Sequence, residues 1–158
     1  QIKQETEIRS DKIILKDCLD GILIGFGSEI EAYEADIQIN FNDVQEIYNP
    51  KKYIESIFTN LISNTLKYKS PDRKPVIKIK LEKINGNIIL SVADNGLGID
   101  LKKHQNNLFK IRKTFHKHPD SKGIGLYLVK TQVEALGGKI WATSLPTIGS
   151  TFFIEFKT

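Results

Sequence analysis

The stretch DNGLGID, residues 94–100, decides how this sequence is interpreted, because it ends a predicted strand, IILSVA, in a carboxylate and two glycines. A tight turn explains the pattern if Asp94 hydrogen-bonds to nearby backbone and the glycines ease the turn. The alternative is a ligand site, in which Asp94 accepts a hydrogen bond from an amine and Gly96 and Gly98 let a flat ring approach the main chain. The seven residues alone leave both interpretations open.

Composition limits the class of protein. The chain has 158 residues, 40% hydrophobic and 27% charged, with a net charge of +4. These values fit one globular domain and a phosphate-bearing ligand, and they do not require nucleic acid. A single cysteine, Cys18, excludes an internal disulfide and favours a reducing compartment, and no apolar run is long enough for a membrane span. Because methionine is absent, we expect a cytoplasmic piece of a longer protein, whose inner-membrane anchor, if it has one, lies outside this chain.

The first half of the chain alternates between helical and extended patterns. Apolar residues at three- and four-residue steps predict a long helix from Asp11 to Glu34 and a second helix over residues 50–68. ADIQINF and EIYN predict two strands between these helices. VIKIKLEKI and NIILSVAD predict a hairpin that turns at Asn85-Gly86, the preferred pair for a two-residue loop.

The second half begins with a long loop, residues 96–122, in which we expect at most one helical turn. GIGLYLVKTQVEALGG then predicts a helix that ends at a glycine pair, and KIWATS and STFFIEF predict two closing strands. The sum predicts an α+β fold with helices on one face of a mixed, mostly antiparallel sheet.

The helix predicted over residues 50–68 carries a polar stripe beside its apolar face. Asn60, Asn64 and Lys67 are spaced i, i+4 and i+7, and Tyr68 falls between the stripe and the apolar face. An amide oxygen is a suitable ligand for Mg²⁺, and a lysine one turn further can meet the phosphates that the ion bridges. A solvated helix face that carries two amides is the alternative.

Two further segments point to phosphate. In KGIGLYLVK, Gly123 and Gly125 open a helix whose free N–H groups can seat a phosphate, and Lys122 adds positive charge. A helix that simply begins in a glycine turn is the alternative. GSTF, residues 149–152, indicates by itself only a turn that enters a strand.

The order of these segments is more specific than any one of them. IFTNLISNTLKY, DNGLGI, GIGL and GSTF follow one another as the N box and three glycine boxes of the GHKL superfamily do. Over roughly residues 37–157 the chain resembles the catalytic ATP-binding domain of sensor histidine kinases. The resemblance implies a two-layer α/β sandwich of the Bergerat type with a long ATP lid over about residues 101–122.

The resemblance also implies a role for individual residues. Asp94 would bind the adenine amino group, Asn64 would bind Mg²⁺, and Asn60 would support the metal and the phosphates. Lys67 would touch phosphate and Tyr68 would pack at the nucleotide. The other residues that it places at the nucleotide are Gly96, Gly98, Ile99, Lys122, Gly123, Ile124, Gly125, Leu126 and Thr151.

Two positions depart from the family pattern. Ser121 stands where the second glycine box often has a further glycine, which predicts a less tight phosphate loop. In the lid, Phe109 and Phe115 are candidates for the paired aromatics of the family, but Arg112 stands where the second aromatic is expected.

For the whole protein, the resemblance implies transfer of the γ-phosphoryl of ATP to a histidine on a dimerisation domain, and onward signalling through a response regulator receiver domain. Residues 1–10 would be a linker or the end of the preceding dimerisation helix, and residues 11–158 the catalytic domain. We expect a monomeric fragment of a homodimeric parent. His104, His116 and His118 fall in the lid, and none is followed by an acidic residue, so we expect no self-phosphorylation.

Other functions remain open from the sequence. Another branch of the superfamily, such as a serine kinase or a chaperone-like ATPase, would share the same pocket. A nucleotide-free binding module would not need Asn64, Asp94, Gly98 and Gly125 together. A nucleic-acid-binding face would rest on the lysines and arginine between residues 67 and 80, which lack interleaved aromatic residues beyond Tyr68, so we expect no nucleic-acid partner.

Overall fold

The computed structural model describes residues 9–104, 107–110 and 125–157. Within these ranges, helices and strands form an α+β fold, as the sequence predicts. The elements in chain order are β1 (Asp11–Ile14), α1 (Leu15–Gly25), α2 (Gly27–Ala32), β2 (Asp36–Asn40), β3 (Glu46–Asn49), α3 (Lys51–Lys67), β4 (Val76–Ile84), β5 (Asn87–Asp94), α4 (Leu101–His104), α5 (Gly125–Ala135), β6 (Lys139–Leu145) and β7 (Gly149–Phe156).

The main sheet has five strands in the order β2-β4-β5-β7-β6. Its pairs are antiparallel except for β2 with β4, which is parallel, so the predicted mixed and mostly antiparallel sheet is confirmed. A separate antiparallel pair joins β1 to β3. Within the described residues no helix is long and apolar enough to cross a membrane.

The turn between β4 and β5 fixes the register of the sheet. Asn85 and Gly86 both have left-handed backbone, with φ of 51° and 83°, which suits a two-residue hairpin loop. The resulting pairing sets Ile77 opposite Asp94. Asp94 in turn pairs with Ser150 of β7, so the carboxylate stands at the end of two hydrogen-bonded strands.

The core lies between the inner face of this sheet and helix α3. The side chains of Ile77, Ile79 and Leu81 alternate with lysines and are at most 1% exposed. Helix α3 contributes its apolar stripe: Ile54, Ile57, Phe58, Leu61, Ile62 and Leu66. Because that stripe faces the sheet, Asn60 and Asn64 remain half-buried at its margin, where a ligand can reach them.

The prediction of one helix from Asp11 to Glu34 is wrong at two points. Asp11–Ile14 is a strand that pairs with β3, and the helix that follows ends at Gly25. The N–H of Phe26 donates to Leu23 and Ile24, and a separate short helix begins at Gly27. Two glycines around one residue lower helix propensity enough to end the helix there.

The elements around the predicted loop agree with expectation where they are described. One short helical segment, Leu101–His104, lies in the loop, and α5 begins at Gly125. Helix α5 ends before Gly137, which has a left-handed φ of 77°. The N–H of Gly138 caps the helix by donating to the carbonyl of Val133.

Candidate functional site

A pocket opens where helix α3, the end of β5 and the start of β7 meet. Its lining includes five of the residues predicted for the site, together with two from the GSTF segment that were not individually predicted. They are Asn64, Tyr68, Asp94, Gly98 and Ile99, with Ser150 and Phe152 as the additions. The cavity measures about 30 Å³. That volume holds about two water molecules, so a nucleobase could enter only if the walls move apart.

Asp94 lines this pocket, and its two carboxylate oxygens differ in their contacts. Its Oδ1 accepts hydrogen bonds from the N–H groups of Gly96, at 2.9 Å, and Ser150, at 3.3 Å. Among the described residues nothing donates to Oδ2. Burial raises the pKa of Asp94, and the two N–H donors and the positive charge of Arg73 oppose that rise. A buried carboxylate with an unused oxygen is suited to accept a hydrogen bond from a ligand amine.

The two glycines after Asp94 are required by close packing. A Cβ on Gly96 would overlap the carbonyl oxygen of Tyr68 and lie 3.0 Å from Asp94 Oδ1. Gly98 has a φ of 73°, and a Cβ there would overlap the carbonyl of Leu145. The turn is thus held between the end of α3 and the β6–β7 hairpin, and the N–H of Leu97 donates to Tyr68 at 2.9 Å.

Ser144 ties the turn to the hairpin. Its hydroxyl accepts a hydrogen bond from the N–H of Ile99 at 2.7 Å and lies 2.9 Å from the carbonyl of Gly149. It also lies 2.7 Å from the hydroxyl of Ser150. The sequence interpretation did not name Ser144, and within the GSTF motif it selected Thr151 rather than Ser150.

Thr151 lies on the other face of the sheet from the pocket. It pairs with Ala93 and Thr143, whereas Ser150 and Phe152, on either side of it, line the cavity beside Asp94. Thr151 instead lines a second groove of about 370 Å³ along the β6–β7 hairpin, which shares Asp94 and Ser150 with the first. Ser150 could have been found from strand pairing, because it lies opposite Asp94 in β7 and its side chain therefore lies on the same face of the sheet.

Asn60 marks the contact between α3 and the start of α5. Its Nδ2 donates to the carbonyl of Ser56 at 2.8 Å, and a Cβ on Gly125 would lie 3.2 Å from its Oδ1. The start of α5 therefore approaches the amide stripe closely. Leu126 packs at the edge of the core, and Lys67 is half-buried in the last turn of α3.

The remaining predicted residues of the phosphate loop and of the lid are described only in part. Phe109 packs edge-on against Phe152, with ring centroids 6.3 Å apart, so it contacts a residue that lines the pocket. His104 is half-buried at the end of α4. The predictions for Lys122, Gly123, Ile124, Ser121, Arg112, Phe115, His116 and His118 fall outside the described residues.

The donor set fits an adenine nucleotide. Asp94 offers an acceptor for an exocyclic amine, Asn64 lines the same pocket, and Asn60 offers its amide beside the start of α5. In the part of the chain that the structure describes, no group of three histidine, cysteine, aspartate or glutamate side chains could hold a metal. A cation here would depend on an amide oxygen and on oxygens of its ligand, which is how Mg²⁺ binds with phosphates.

Comparison with known proteins identifies the family of the chain. Residues 50–158 match the family described as histidine kinase-, DNA gyrase B- and HSP90-like ATPase. Sensor protein RprX of Bacteroides fragilis is 28% identical over 158 residues, which cover 96% of this chain and 30% of RprX. Sensor protein kinase WalK of Staphylococcus aureus is 29% identical over 110 residues, which cover 68% of this chain and 26% of WalK.

A solved structure supports the same fold. The catalytic domain of histidine kinase ThkA has a TM-score of 0.79 at 19% identity, and the match covers 94% of this chain and 97% of that domain. The chain belongs to the histidine kinase-, DNA gyrase B- and HSP90-like ATPase family. Both of these curated relatives are named as sensor proteins. It spans less than a third of the length of these curated relatives.

Proposed function

We propose that this chain binds Mg-ATP and supplies the γ-phosphoryl group to a histidine on a dimerisation domain outside the chain. The observation that carries the proposal is that Asp94 and Asn64 line one pocket and that no group among the described residues donates to Oδ2 of Asp94. A carboxylate that accepts from an exocyclic amine favours adenine over guanine, because guanine presents a carbonyl at the corresponding ring position.

Each part of the site has a separate task in this proposal. Asp94 binds the adenine amino group, and Gly96, Gly98 and Ile99 shape the space around the base. Asn64 holds Mg²⁺, which neutralises phosphate charge when bound, and Asn60 and Lys67 orient the phosphates. Tyr68 packs at the nucleotide. The residues proposed for the phosphate loop are Lys122, Gly123, Ile124, Gly125 and Leu126, and Ser150 takes the place of Thr151 in the third glycine box.

The metal role of Asn64 can be tested apart from the adenine contact. If the Asn64 amide is a ligand, adding Mg²⁺ should tighten binding of a non-hydrolysable ATP analogue in the parent chain but not in Asn64→Ala. ADP without Mg²⁺ should bind both proteins with similar affinity, which provides the control. Equal Mg²⁺ dependence in the two proteins would count against the assignment.

For the whole protein we propose a two-component sensor kinase. Residues 11–158 would form its catalytic domain, and residues 1–10 would lead from a dimerisation domain that makes the parent a homodimer. A response regulator receiver domain would accept the phosphoryl group. The fragment itself would be a monomer on the cytoplasmic side, with any inner-membrane anchor of the parent elsewhere.

Phosphotransfer tests this proposal. Incubation with γ-labelled ATP should leave the chain itself unlabelled, because its described histidine, His104, lies in the lid and not on a dimerisation helix. Adding the parent's dimerisation domain should place acid-labile label on that domain, and Asn64→Ala should abolish it. Stoichiometric label on the chain alone, or none on the added domain despite nucleotide binding, would contradict the proposal.

A further inference from the structure

Arg73 joins a turn that lines the pocket beside Asp94 to a second turn that lines the adjoining groove. Its Nε donates to the carbonyl of Asn95 at 2.7 Å, and its Nη2 donates to the carbonyl of Gly96 at 2.9 Å. The same Nη2 donates to Thr147 at 2.6 Å and lies 3.4 Å from the carbonyl of Ile148. One exposed side chain thus joins the turn after β5 to the turn between β6 and β7.

Each of the two turns contains a residue with left-handed backbone, a conformation that few residue types adopt readily. Thr147 has a left-handed φ of 69°, which is unfavourable for a β-branched residue, and its N–H donates to Leu97 at 2.6 Å. Gly98 lies against the carbonyl of Leu145 in the same hairpin. These contacts hold the two turns close together. A side chain that fixes the distance between the turns therefore also fixes the width of the pocket beside Asp94.

The side chain of Asn95 binds the backbone on the C-terminal side of Arg73. Asn95 accepts a hydrogen bond from the N–H of Val76 at 2.9 Å and donates to the carbonyl of Lys74 at 3.0 Å. Lys74 pairs with Glu34 at 3.1 Å on the surface. Asn95 therefore ties the segment that carries Arg73 to the turn after β5, and the guanidinium extends this link to the turn between β6 and β7.

We propose that Arg73 is a positioning residue for adenine: by holding the two turns at a fixed separation, it sets the affinity and base selectivity of the pocket without touching the nucleotide. The inference rests on the proposed function of the site as a nucleotide pocket. Arg73 also places positive charge near Asp94, which favours the ionised carboxylate.

The chemistry of the site selects arginine rather than lysine. The acceptors are carbonyl oxygens on two separate turns, and a planar guanidinium presents several fixed N–H donors along its edge. A lysine ammonium at the same position keeps the charge but concentrates its donors at one point. Arg73→Lys should therefore keep the fold and the charge while it loses contacts to one of the two turns.

The test is calorimetric titration of ADP and GDP into the parent chain, Arg73→Ala, Arg73→Lys and the neighbouring control Lys74→Ala, at a temperature where each is folded. We expect ADP to bind Arg73→Ala roughly three- to thirtyfold more weakly, in the range known for residues that act on a site through others. Arg73→Lys should be intermediate and Lys74→Ala unchanged. In Arg73→Ala the ratio of the ADP affinity to the GDP affinity should fall. Mg²⁺ should still tighten the binding of a non-hydrolysable ATP analogue to this variant.

Each outcome separates positioning from general stabilisation. If Arg73→Ala melts at a lower temperature but binds ADP as the parent does, Arg73 only stabilises the fold and the inference is overturned. If Arg73→Ala does not fold, Arg73→Lys decides the matter, and parent-like affinity and selectivity in that variant would overturn the inference. Failure of the parent chain to bind ADP would overturn the proposed function, and this inference with it.

Discussion

At the scale of single residues, Asp94 shows a conflict between stability and function. Burial raises its pKa because a desolvated carboxylate resists ionisation, and two backbone N–H groups recover part of that cost through Oδ1. Oδ2 receives no such compensation among the described residues. The bond from Gly96 to Oδ1 is the turn hydrogen bond that the sequence allowed, and Oδ2 is the oxygen that remains to accept from a ligand.

This conflict predicts a stabilised variant. A raised pKa means that the folded chain holds the Asp94 proton more tightly than the unfolded chain does. The favourable contribution is therefore complete below the ordinary pKa of 3.8 and is lost as the pH rises through the folded pKa. Asp94→Asn should consequently melt at a higher temperature than the parent at neutral pH, and the difference should vanish in acid. A lower melting temperature at neutral pH would contradict the burial argument.

Gly98 allows a second prediction at this scale. Gly98→Ala should lower the free energy of unfolding by about 1–3 kcal/mol from the left-handed backbone alone, and by more because its Cβ would overlap Leu145. Gly86→Ala is the matched control, since Gly86 has a similar φ of 83° but open space around a Cβ. Urea unfolding of both variants isolates the contact. Equal losses would show that the turn and the hairpin are not in close contact.

At the scale of elements, local patterns predicted most of the fold. Helix α3 and the β4–β5 hairpin follow from apolar spacing and from Asn85-Gly86, which act within a few residues. Strand β1 was missed because its partner, β3, is remote in sequence and because its few residues fit a helical period as well. The side chain that lines the pocket beside Asp94, Ser150, also depends on pairing between remote strands.

Helix α1 yields a prediction about its own interior. Gly21 lies in the middle of α1 with nothing within 4 Å of an added Cβ. Gly21→Ala should therefore raise the free energy of unfolding by about 0.5–1 kcal/mol, since alanine loses less conformational entropy than glycine in a helix. Thermal and urea unfolding both measure it. Gly25→Ala, at the end of α1, should gain less, and a destabilised Gly21→Ala would count against a helix at this position.

At the scale of the whole molecule, one apolar cluster connects the elements around the site. It includes Leu19 of α1, Phe58 of α3, Leu81 of β4, Val129 of α5 and Ile154 of β7. A shared core of this kind predicts a single cooperative transition. Trp141, the only tryptophan, stacks on Phe153 at 5.3 Å on the outer face of the sheet, so its fluorescence reports the sheet while far-UV circular dichroism reports the helices. The two midpoints should coincide, and separate midpoints would indicate two folding units.

The sequence predicted more of the residues that line the pocket than of the residues that hold the pocket in shape. Asn64, Tyr68, Asp94, Gly98 and Ile99 meet in one pocket as the ordered motifs suggested, because each motif holds its residues at an element end. The contacts that hold the pocket in shape could not be predicted. The hydroxyl of Ser144 and the guanidinium of Arg73 hydrogen-bond to backbone groups that are remote in sequence. No local sequence pattern predicts such contacts.

The central claim is that this chain is an adenine-nucleotide domain that recognises the base through Asp94. Calorimetric titration of ADP and GDP into the parent chain and Asp94→Ala tests it most directly. We predict that the parent binds ADP and strongly prefers it to GDP, and that Asp94→Ala remains folded but loses most of its affinity for ADP. Failure of the folded parent to bind ADP, or unchanged binding by Asp94→Ala, would contradict the claim.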